Sequence, residues 1–244
     1  MLKEELRGIY YILLKDLKAY YFKPPNISWG ILFPLVLALA FSLRNPAGLT
    51  ELAPGLIAMA AVFGTTSMEA IVITFERRTG ALERLLLAPI SIKSILTGKI
   101  LGGAVFGAMI SGVMIVISMI VFKMSIKTPV WFSISLMLTL LTLSSLGSLV
   151  AVSVKEVFEA QTLSNYLRFP MIFLCGVFIP VETMPLPLQA IAYLLPLTYS
   201  VDALKYTIQG TTNLPKLMLD ILILFGFLIT LFSFSNKLLK RSLK

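Results

Sequence analysis

Long apolar stretches separated by short polar segments make up most of this sequence. Six of these stretches approach or reach the roughly 20 residues that a helix needs to cross the hydrocarbon core of a bilayer. They are residues 28–43, 54–75, 100–122, 130–153, 160–180 and 217–235. The pattern predicts an all-α polytopic membrane protein with six transmembrane helices.

Polar residues interrupt the first and fifth stretches. Pro34 lies inside the first, where neighbouring helices can satisfy the carbonyl that it frees. In the fifth, Gln161, Asn165 and Arg168 lie at i, i+4 and i+7 and therefore share one helical face. Because a charge that faces lipid is costly, Arg168 and Glu69 are expected to face protein or water, or to snorkel to the inner surface. The hypothesis is that Arg168 and Glu69 lie at matched depth and either pair or both face an inner vestibule.

Small residues recur at four-residue steps in the third and fourth stretches. Gly103, Gly107 and Ser111 form one such ladder, and Gly147 with Ala151 forms another. Small side chains let helix backbones approach each other where lipid supplies no hydrophobic drive for association. These positions predict close helix packing.

The N-terminal segment 1–25 shows a helical pattern without a span. Its apolar residues recur at three- and four-residue steps and share one face: Leu6, Ile9, Tyr10, Leu13, Leu17 and Tyr20. Basic residues project elsewhere, and Pro24 and Pro25 end the segment. This composition predicts an amphipathic helix in the cytoplasmic membrane interface, in contact with lipid. A short soluble helix packed on a partner protein is the alternative.

Residues 181–213 are too apolar for a solvated loop. Two apolar pieces, 187–195 and 199–208, are each too short to span the bilayer, and prolines such as Pro185 and Pro196 punctuate them. Two short helices that dip into the outer leaflet or cap the bundle would account for this composition. The segment therefore predicts an outer re-entrant helical hairpin before the last span.

Composition and charge fit a membrane protein and predict its orientation. Hydrophobic residues make up 57% of the chain and charged residues 14%, with a mean hydropathy of +0.91. The net charge of +9 could suggest a nucleic-acid partner, but sixteen of the 21 Lys and Arg residues fall on one side of the predicted spans. This asymmetry follows the positive-inside rule and predicts that both termini are cytoplasmic. No nucleic-acid partner is expected.

Residue types that carry catalysis are scarce. The chain has no histidine and a single cysteine, Cys175. The only Gly-Lys pair, Gly98–Lys99, has Lys93 where a phosphate loop needs its first glycine. The sequence therefore predicts no enzyme activity, no metal site and no directly bound cofactor.

Two charged or patterned stretches resemble signatures of one family. Residues 75–90, "FERRTGALERLLLAPI", precede Gly98–Lys99 and place Glu and Arg at a membrane exit, then Thr-Gly, Leu-Glu, a leucine cluster and Pro. A solvated loop with a membrane-skimming helix is the structural alternative. The order nevertheless resembles the inner loop of ABC type-2 exporter permeases. Residues 175–210 are similar to that family's late signature, with Gly-x-Phe-x-Pro, Met-Pro, Pro-Leu-Thr and Asp-Ala-Leu followed by a basic residue.

The resemblance covers essentially the whole chain and implies an architecture. Residues 1–244 would form a single transmembrane permease domain of the multidrug, lipid or polysaccharide efflux type, in a prokaryotic cell membrane. The translocation pathway would form as a dimer, with a second copy of the chain or a homologous permease. Two copies of an ABC ATP-binding subunit would carry ATP and Mg, so hydrolysis would lie on a separate subunit.

The resemblance also implies roles for particular residues. Residues 76–99 would be a cytoplasmic coupling loop, with a coupling helix at about Glu76–Pro89 that contacts the ATP-binding subunit. Its coupling residues would be Glu76, Arg77, Gly80, Glu83, Arg84, Leu86 and Pro89, with Leu85, Leu86 and Leu87 seated in the partner's groove. The pathway would include Trp29, Phe33, Glu69, Asn165, Arg168 and Ile172. The outer gate would include Gly176, Pro180, Pro185 and Pro196.

Two other classes of function remain open. An ATP-independent secondary transporter or channel subunit would carry coupling charges deep in the membrane, which only Glu69 and Arg168 approach. A lipid transferase would need a fuller acidic cluster than Glu156 and Glu159. The predicted pathway residues are largely apolar, and such a wall would suit a lipid, a drug-like amphiphile or a lipid-linked glycan alike.

Overall fold

The computed structural model describes residues 2–44, 49–210 and 213–242, and all regular structure within these ranges is helical. A π-helical turn, Leu17–Tyr21, continues the first helix, and a short 3-10 turn, Val181–Thr183, precedes the eighth. The helices are α1 Leu2–Asp16, α2 Pro24–Arg44, α3 Leu49–Arg78, α4 Ala81–Leu86, α5 Ile92–Val121, α6 Pro129–Ser153, α7 Val157–Leu174, α8 Leu186–Tyr193, α9 Pro196–Gln209 and α10 Leu214–Ser242.

Four of the helices in the described ranges are long and apolar enough to cross a membrane. These are α3, α5, α6 and α10, and the prediction of an all-helical polytopic membrane protein is confirmed for them. In α2 the apolar part is shorter, Asn26–Ala40, and α7 carries the polar face that includes Arg168. That α2 and α7 also span the membrane stays a prediction.

The long helices alternate in direction, so their termini meet at two ends of the bundle. At the first, which we call the α1 end, Ile12 of α1 packs in one apolar cluster with Leu82 of α4 and Leu239 of α10. At the other, the hairpin end, the Thr50 hydroxyl donates to the Phe122 carbonyl at 3.1 Å. The Thr128 N–H donates there to the carbonyl of Thr207, the last turn of α9, at 3.2 Å.

The central element of the bundle is α3, which packs against α2, α5, α6, α7 and α9. Its middle is fully buried, and small residues bring it close to its neighbours. A Cβ placed on Gly64 would lie 2.8 Å from the Cα of Gly107 in α5, as the glycine ladder of that helix predicts. A Cβ on Gly55 would lie 2.8 Å from Val177 Cγ1. The backbone contacts therefore depend on glycine.

Hydroxyl groups of α6 tie the bundle together where no water is available. Ser144 Oγ donates to the Ile100 carbonyl of α5 at 2.9 Å. Thr142 Oγ1 donates to the Leu224 carbonyl of α10 at 3.3 Å. Side-chain hydrogen bonds between helices add packing specificity inside a membrane, where the hydrophobic effect does not drive helix association.

Residues 181–213 contain the two short helices that the sequence predicts, at 186–193 and 196–209. Most side chains of α9 are buried among α3, α6 and α10, and Gly210 ends the helix in the left-handed region at φ +69°. By contrast, α8 lies on the outside, and Leu186 and Leu194 are exposed. That this pair re-enters the membrane from the outer side stays a prediction.

We expect Gly147→Ala to destabilise the bundle by about 1–3 kcal/mol, because the new Cβ overpacks the contact between α6 and α3. It would lie 2.9 Å from Glu69 Cβ and against the Thr66 carbonyl. Gly112→Ala is the matched control, since nothing lies within 4 Å of its Cβ position. The measurement is thermal unfolding of the purified chain in detergent. Equal melting temperatures for the two variants would contradict the packing role of Gly147.

Candidate functional site

The connection between α3 and α5 carries the residues that the sequence assigns to coupling. The structure continues α3 to Arg78 and begins α5 at Ile92, so the connection is shorter than the predicted 76–99 loop. Gly80 adopts φ +69° between α3 and α4, a conformation that favours glycine and makes a tight turn there. Helix α4 follows as a single short segment across the α1 end.

Helix α4 is anchored to the bundle by one face and presents the other. Leu82 is buried in the apolar cluster of the α1 end, with Leu85 and Leu86 packed partly against that cluster. Glu83 and Arg84 are exposed, and 86% of Leu87 is exposed. Of the three leucines expected to enter a partner's groove, Leu87 is exposed, whereas Leu85 and Leu86 are partly buried against this chain.

Four charged side chains meet at the α1 end in what we call the buried ion cluster: Asp16, Glu76 and Lys99 are buried, and the Lys15 side chain is 38% exposed. Lys15 and Asp16 come from α1, Glu76 from the last turns of α3, and Lys99 from α5. Lys99 is 1% exposed; its Nζ donates to the carboxylate of Glu76 and lies 3.1 Å from Asp16 Oδ2. Lys15 Nζ also donates to Glu76 and lies 3.0 Å from Asp16 Oδ1. Two cations and two anions thus balance within one small volume.

The ion cluster changes the role expected of Glu76. Its carboxylate is buried between two lysines and therefore cannot reach a partner protein. The sequence-based assignment instead places Glu76 in contact with the ATP-binding subunit. Arg77 is also turned inward, since its Nη1 donates to the Val154 carbonyl after α6 at 3.1 Å. Pro89, by contrast, is exposed beyond α4. The first two residues of the predicted coupling helix therefore hold the bundle together.

Helix α1 lies against the start of α5 along most of its length. The Glu5 carboxylate accepts from the Ser91 N–H at 3.0 Å, and a Cβ on Gly98 would lie 3.0 Å from Ile12 Cβ. Hydrogen bonds from the Ser94 hydroxyl and the Ser91 N–H lower the pKa of the Glu5 carboxyl. Burial raises the pKa of Asp16, and the charge of Lys99 opposes that shift.

The apolar stripe that the sequence predicts is exposed only in part, because its last members, Leu17 and Tyr20, pack against the core. Leu6 and Tyr10 on that stripe are exposed, whereas Ile12 and Asp16 face the bundle. An exposed apolar stripe on a helix held across the end of a membrane bundle suits a position in the lipid interface.

Glu69 is fully buried and is bound by groups from two other elements. The Tyr21 hydroxyl donates to Glu69 Oε2, and Ser148 Oγ of α6 donates to Oε1 at 3.3 Å. Gly103 leaves the room for this carboxylate, since its Cβ would lie 2.8 Å from Oε2. The hypothesis that Glu69 pairs with Arg168 is wrong, because these hydrogen bonds hold Glu69 away from the cavity that Arg168 lines.

A cavity of about 510 Å³ lies between α2, α3 and α7. Phe33, Asn165 and Arg168, three of the predicted pathway residues, line it together. Ile172 is buried in the packing of α7, and Glu69 lies elsewhere. The side chain of Trp29 lies outside the described part of the chain. The structure thus brings half of the predicted pathway set to one surface.

The four residues predicted for the outer gate lie at the boundaries of elements near the hairpin end. Gly176 follows α7 with φ +79°, a conformation that favours glycine. Pro180 and Pro185 stand immediately before the 3-10 turn and α8, and Pro196 is the first residue of α9. They shape the chain path from α7 into the hairpin.

Sequence reasoning missed Asp16, Tyr21 and the inward role of Lys99. The sequence pattern gives Lys99 no partner, yet this residue follows the close contact of Gly98 with α1. A lysine within an apolar helix, and an aspartate at the edge of the apolar stripe of α1, are the signals that could have indicated the pairing.

We expect Lys99→Met to lower the free energy of unfolding by about 3–5 kcal/mol, because it leaves two buried carboxylates with one cation. Lys93→Met on the same helix is the control, since Lys93 is exposed and should change stability by less than about 0.5 kcal/mol. Adding Glu76→Gln to Lys99→Met should cost less than Glu76→Gln alone, because the two residues interact directly. Denaturant titration in mixed micelles measures all three, and strict additivity would show that the groups are not coupled.

Comparisons with known proteins agree with these features. The family model described as ABC-2 type transporter matches residues 7–208. The chain is similar to the inner membrane transport permease YadH of Escherichia coli (strain K12), at 24% identity over 165 residues, which cover 66% of this chain and 63% of YadH. It is also similar to nodulation protein J of Rhizobium leguminosarum bv. viciae, at 36% identity over 74 residues, 30% of this chain and 28% of that protein. The match with YadH thus spans slightly less than two thirds of that relative's length. The chain belongs to the ABC-2 type transporter family.

Proposed function

We propose that this chain is the transmembrane permease subunit of an ATP-driven ABC exporter, and that an ATP-binding subunit docks on α4. The observation that carries the proposal is the two-sided character of α4. Leu82 fixes the helix to the bundle, while Glu83, Arg84 and Leu87 remain exposed beside one another. A short, firmly anchored helix with exposed charges and one exposed leucine is a surface suited to a partner protein.

The orientation follows from charge. With the α1 end in the cytoplasm, sixteen of the 21 basic residues lie on the inner side, as the positive-inside rule requires. Helices α2 and α7 then complete six spans, and both termini are cytoplasmic. The name of YadH, an inner membrane transport permease, supports a location in a prokaryotic cell membrane.

The contacts of the α1 end supply a route for mechanical coupling. A push on α4 reaches α3 through the Gly80 turn and reaches the apolar cluster through Leu82. The buried ion cluster joins α1, α3 and α5, so these helices move together as a rigid body. ATP and Mg are held by the partner subunit, and this chain supplies the moving helices.

The pathway forms where two permease subunits meet, with a second copy of this chain or a homologous permease. The surface of α2 and α7 is suited to this role because Phe33, Asn165 and Arg168 line a cavity that these helices enclose with α3. The hairpin of α8 and α9 covers the outer mouth, with Gly176 and Pro180 shaping its entry.

A secondary transporter has less support than an ATP-driven permease. Glu69 is engaged by Tyr21 and Ser148 within the packing of the bundle. A coupling carboxylate of such a transporter would face a water-filled cavity or a charged partner at the midplane.

We expect Glu83→Arg and Leu87→Asp each to reduce capture of the ATP-binding subunit by about tenfold or more, because hot-spot residues of an interface contribute at least that much. The measurement is co-purification of the ATP-binding subunit encoded beside this chain, quantified per mole of permease. Glu182→Arg is the matched control, since it makes the same charge reversal at an exposed position of the hairpin end. Capture that is unchanged by both α4 variants would contradict docking on this helix.

A further inference from the structure

Arg168 is a buried cation without a counter-ion in the described part of the chain. The residue is 4% exposed, and its guanidinium lies 4.2 Å from the centroid of the Phe63 ring. Its Nε and Nη2 atoms have no hydrogen-bond partner within the described residues. Charged side chains in membrane proteins normally pair or reach water, so an arginine stacked on an aromatic ring alone is unusual.

The carboxylates of the neighbouring helix α3 do not neutralise the charge of Arg168. Glu69 on the neighbouring α3 is held by Tyr21 and Ser148, and Glu76 is paired with lysines in the ion cluster. The guanidinium carbon lies over the Phe63 ring, and the Nε and Nη2 groups, which are unpaired within the described residues, are available as donors to an acceptor such as a carboxylate or phosphate.

The cavity beside Arg168 combines a small polar region with an aromatic wall. Gln161 and Asn165 line it from the same face of α7, and Ser67 lines it from α3. Ser67 Oγ is buried without a hydrogen-bond partner in the described ranges, as is Gln161 Oε1. Phe33 and Phe169 contribute apolar surface. The volume of about 510 Å³ lies within the range of roughly 300–1,000 Å³ that is usual for drug-sized ligands.

We propose that this cavity binds an amphiphile with one anionic group, a carboxylate or a phosphate, which pairs with Arg168 while its apolar part lies against Phe33 and Phe169. A cation would be repelled by Arg168, and a neutral ligand would leave its positive charge without a counter-ion. That such an amphiphile is the exported substrate class rests on the proposed function; the binding site itself does not.

The test is equilibrium binding of two matched fluorescent probes to the purified full chain in a neutral detergent. The probes are dansylaminoundecanoic acid and its methyl ester, which differ in a single negative charge. We expect the chain to bind the acid about tenfold or more tightly than the ester, because a charge-assisted pair is lost in the ester. Inorganic phosphate and a single-chain lysophosphatidic acid serve as competitors, and only the lipid should displace the acid at low concentration.

Variants separate the two parts of the site. Arg168→Gln should remove the preference for the acid and leave ester binding within about twofold, whereas Arg168→Lys should keep part of the preference. Phe33→Ala should weaken the acid and the ester alike. Arg241→Gln is the control, because Arg241 is exposed near the end of α10, and it should behave as the unmodified chain. Melting temperatures of the variants show whether each one is folded.

Several outcomes overturn the proposal. Equal affinity of the unmodified chain for acid and ester does so, as does an unchanged preference in folded Arg168→Gln. Acid binding by isolated monomers that disappears in the dimer would mean that a second copy supplies the counter-ion, which also overturns it. If the ATP-binding subunit does not co-purify with the chain while the preference for the acid is intact, the proposed function is contradicted and this inference stands.

Discussion

The buried ion cluster at the α1 end is the interaction on which the rest of the arrangement depends. Lys15, Asp16, Glu76 and Lys99 come from three helices, and removing the buried Asp16, Glu76 and Lys99 from water is costly unless these charges are paired. Helix α1, the end of α3 and the start of α5 are therefore fixed relative to one another. A membrane bundle has little hydrophobic drive of its own to fix such positions.

Away from this end, the bundle is held by close approach of backbones and by hydroxyl groups. Gly64, Gly107 and Gly147 bring α3, α5 and α6 together, and Ser144 and Thr142 hydrogen-bond across to neighbouring helices. These contacts are specific because each glycine leaves room for one particular neighbour. Ion pairs therefore fix the relative positions of the helices at the α1 end, and small-residue packing fixes them through the middle of the bundle. Helix α4 lies at the α1 end.

The two charges at membrane depth illustrate opposite solutions to burial. Glu69 is surrounded by donors from Tyr21 and Ser148, and Gly103 leaves space for it. Arg168 rests on Phe63 beside a cavity and keeps donors unused within the described chain. The hydrogen bonds of Glu69 stabilise the fold, whereas Arg168 places a charged group on the largely apolar wall of the cavity. The cavity lies between α2, α3 and α7, next to the surface proposed for a second permease subunit.

The sequence by itself determined the helical class, the approximate extent of the long helices and the two helices before α10. These features depend on local periodicity and on hydrophobic length. Only the tertiary structure decided that Glu76 and Lys99 face inward, that Glu69 meets Tyr21, and that Arg168 stays apart. Which charges pair depends on the rotation and relative depth of packed helices. A lysine at a membrane edge has the same one-dimensional pattern whether it snorkels to water or closes a buried cluster.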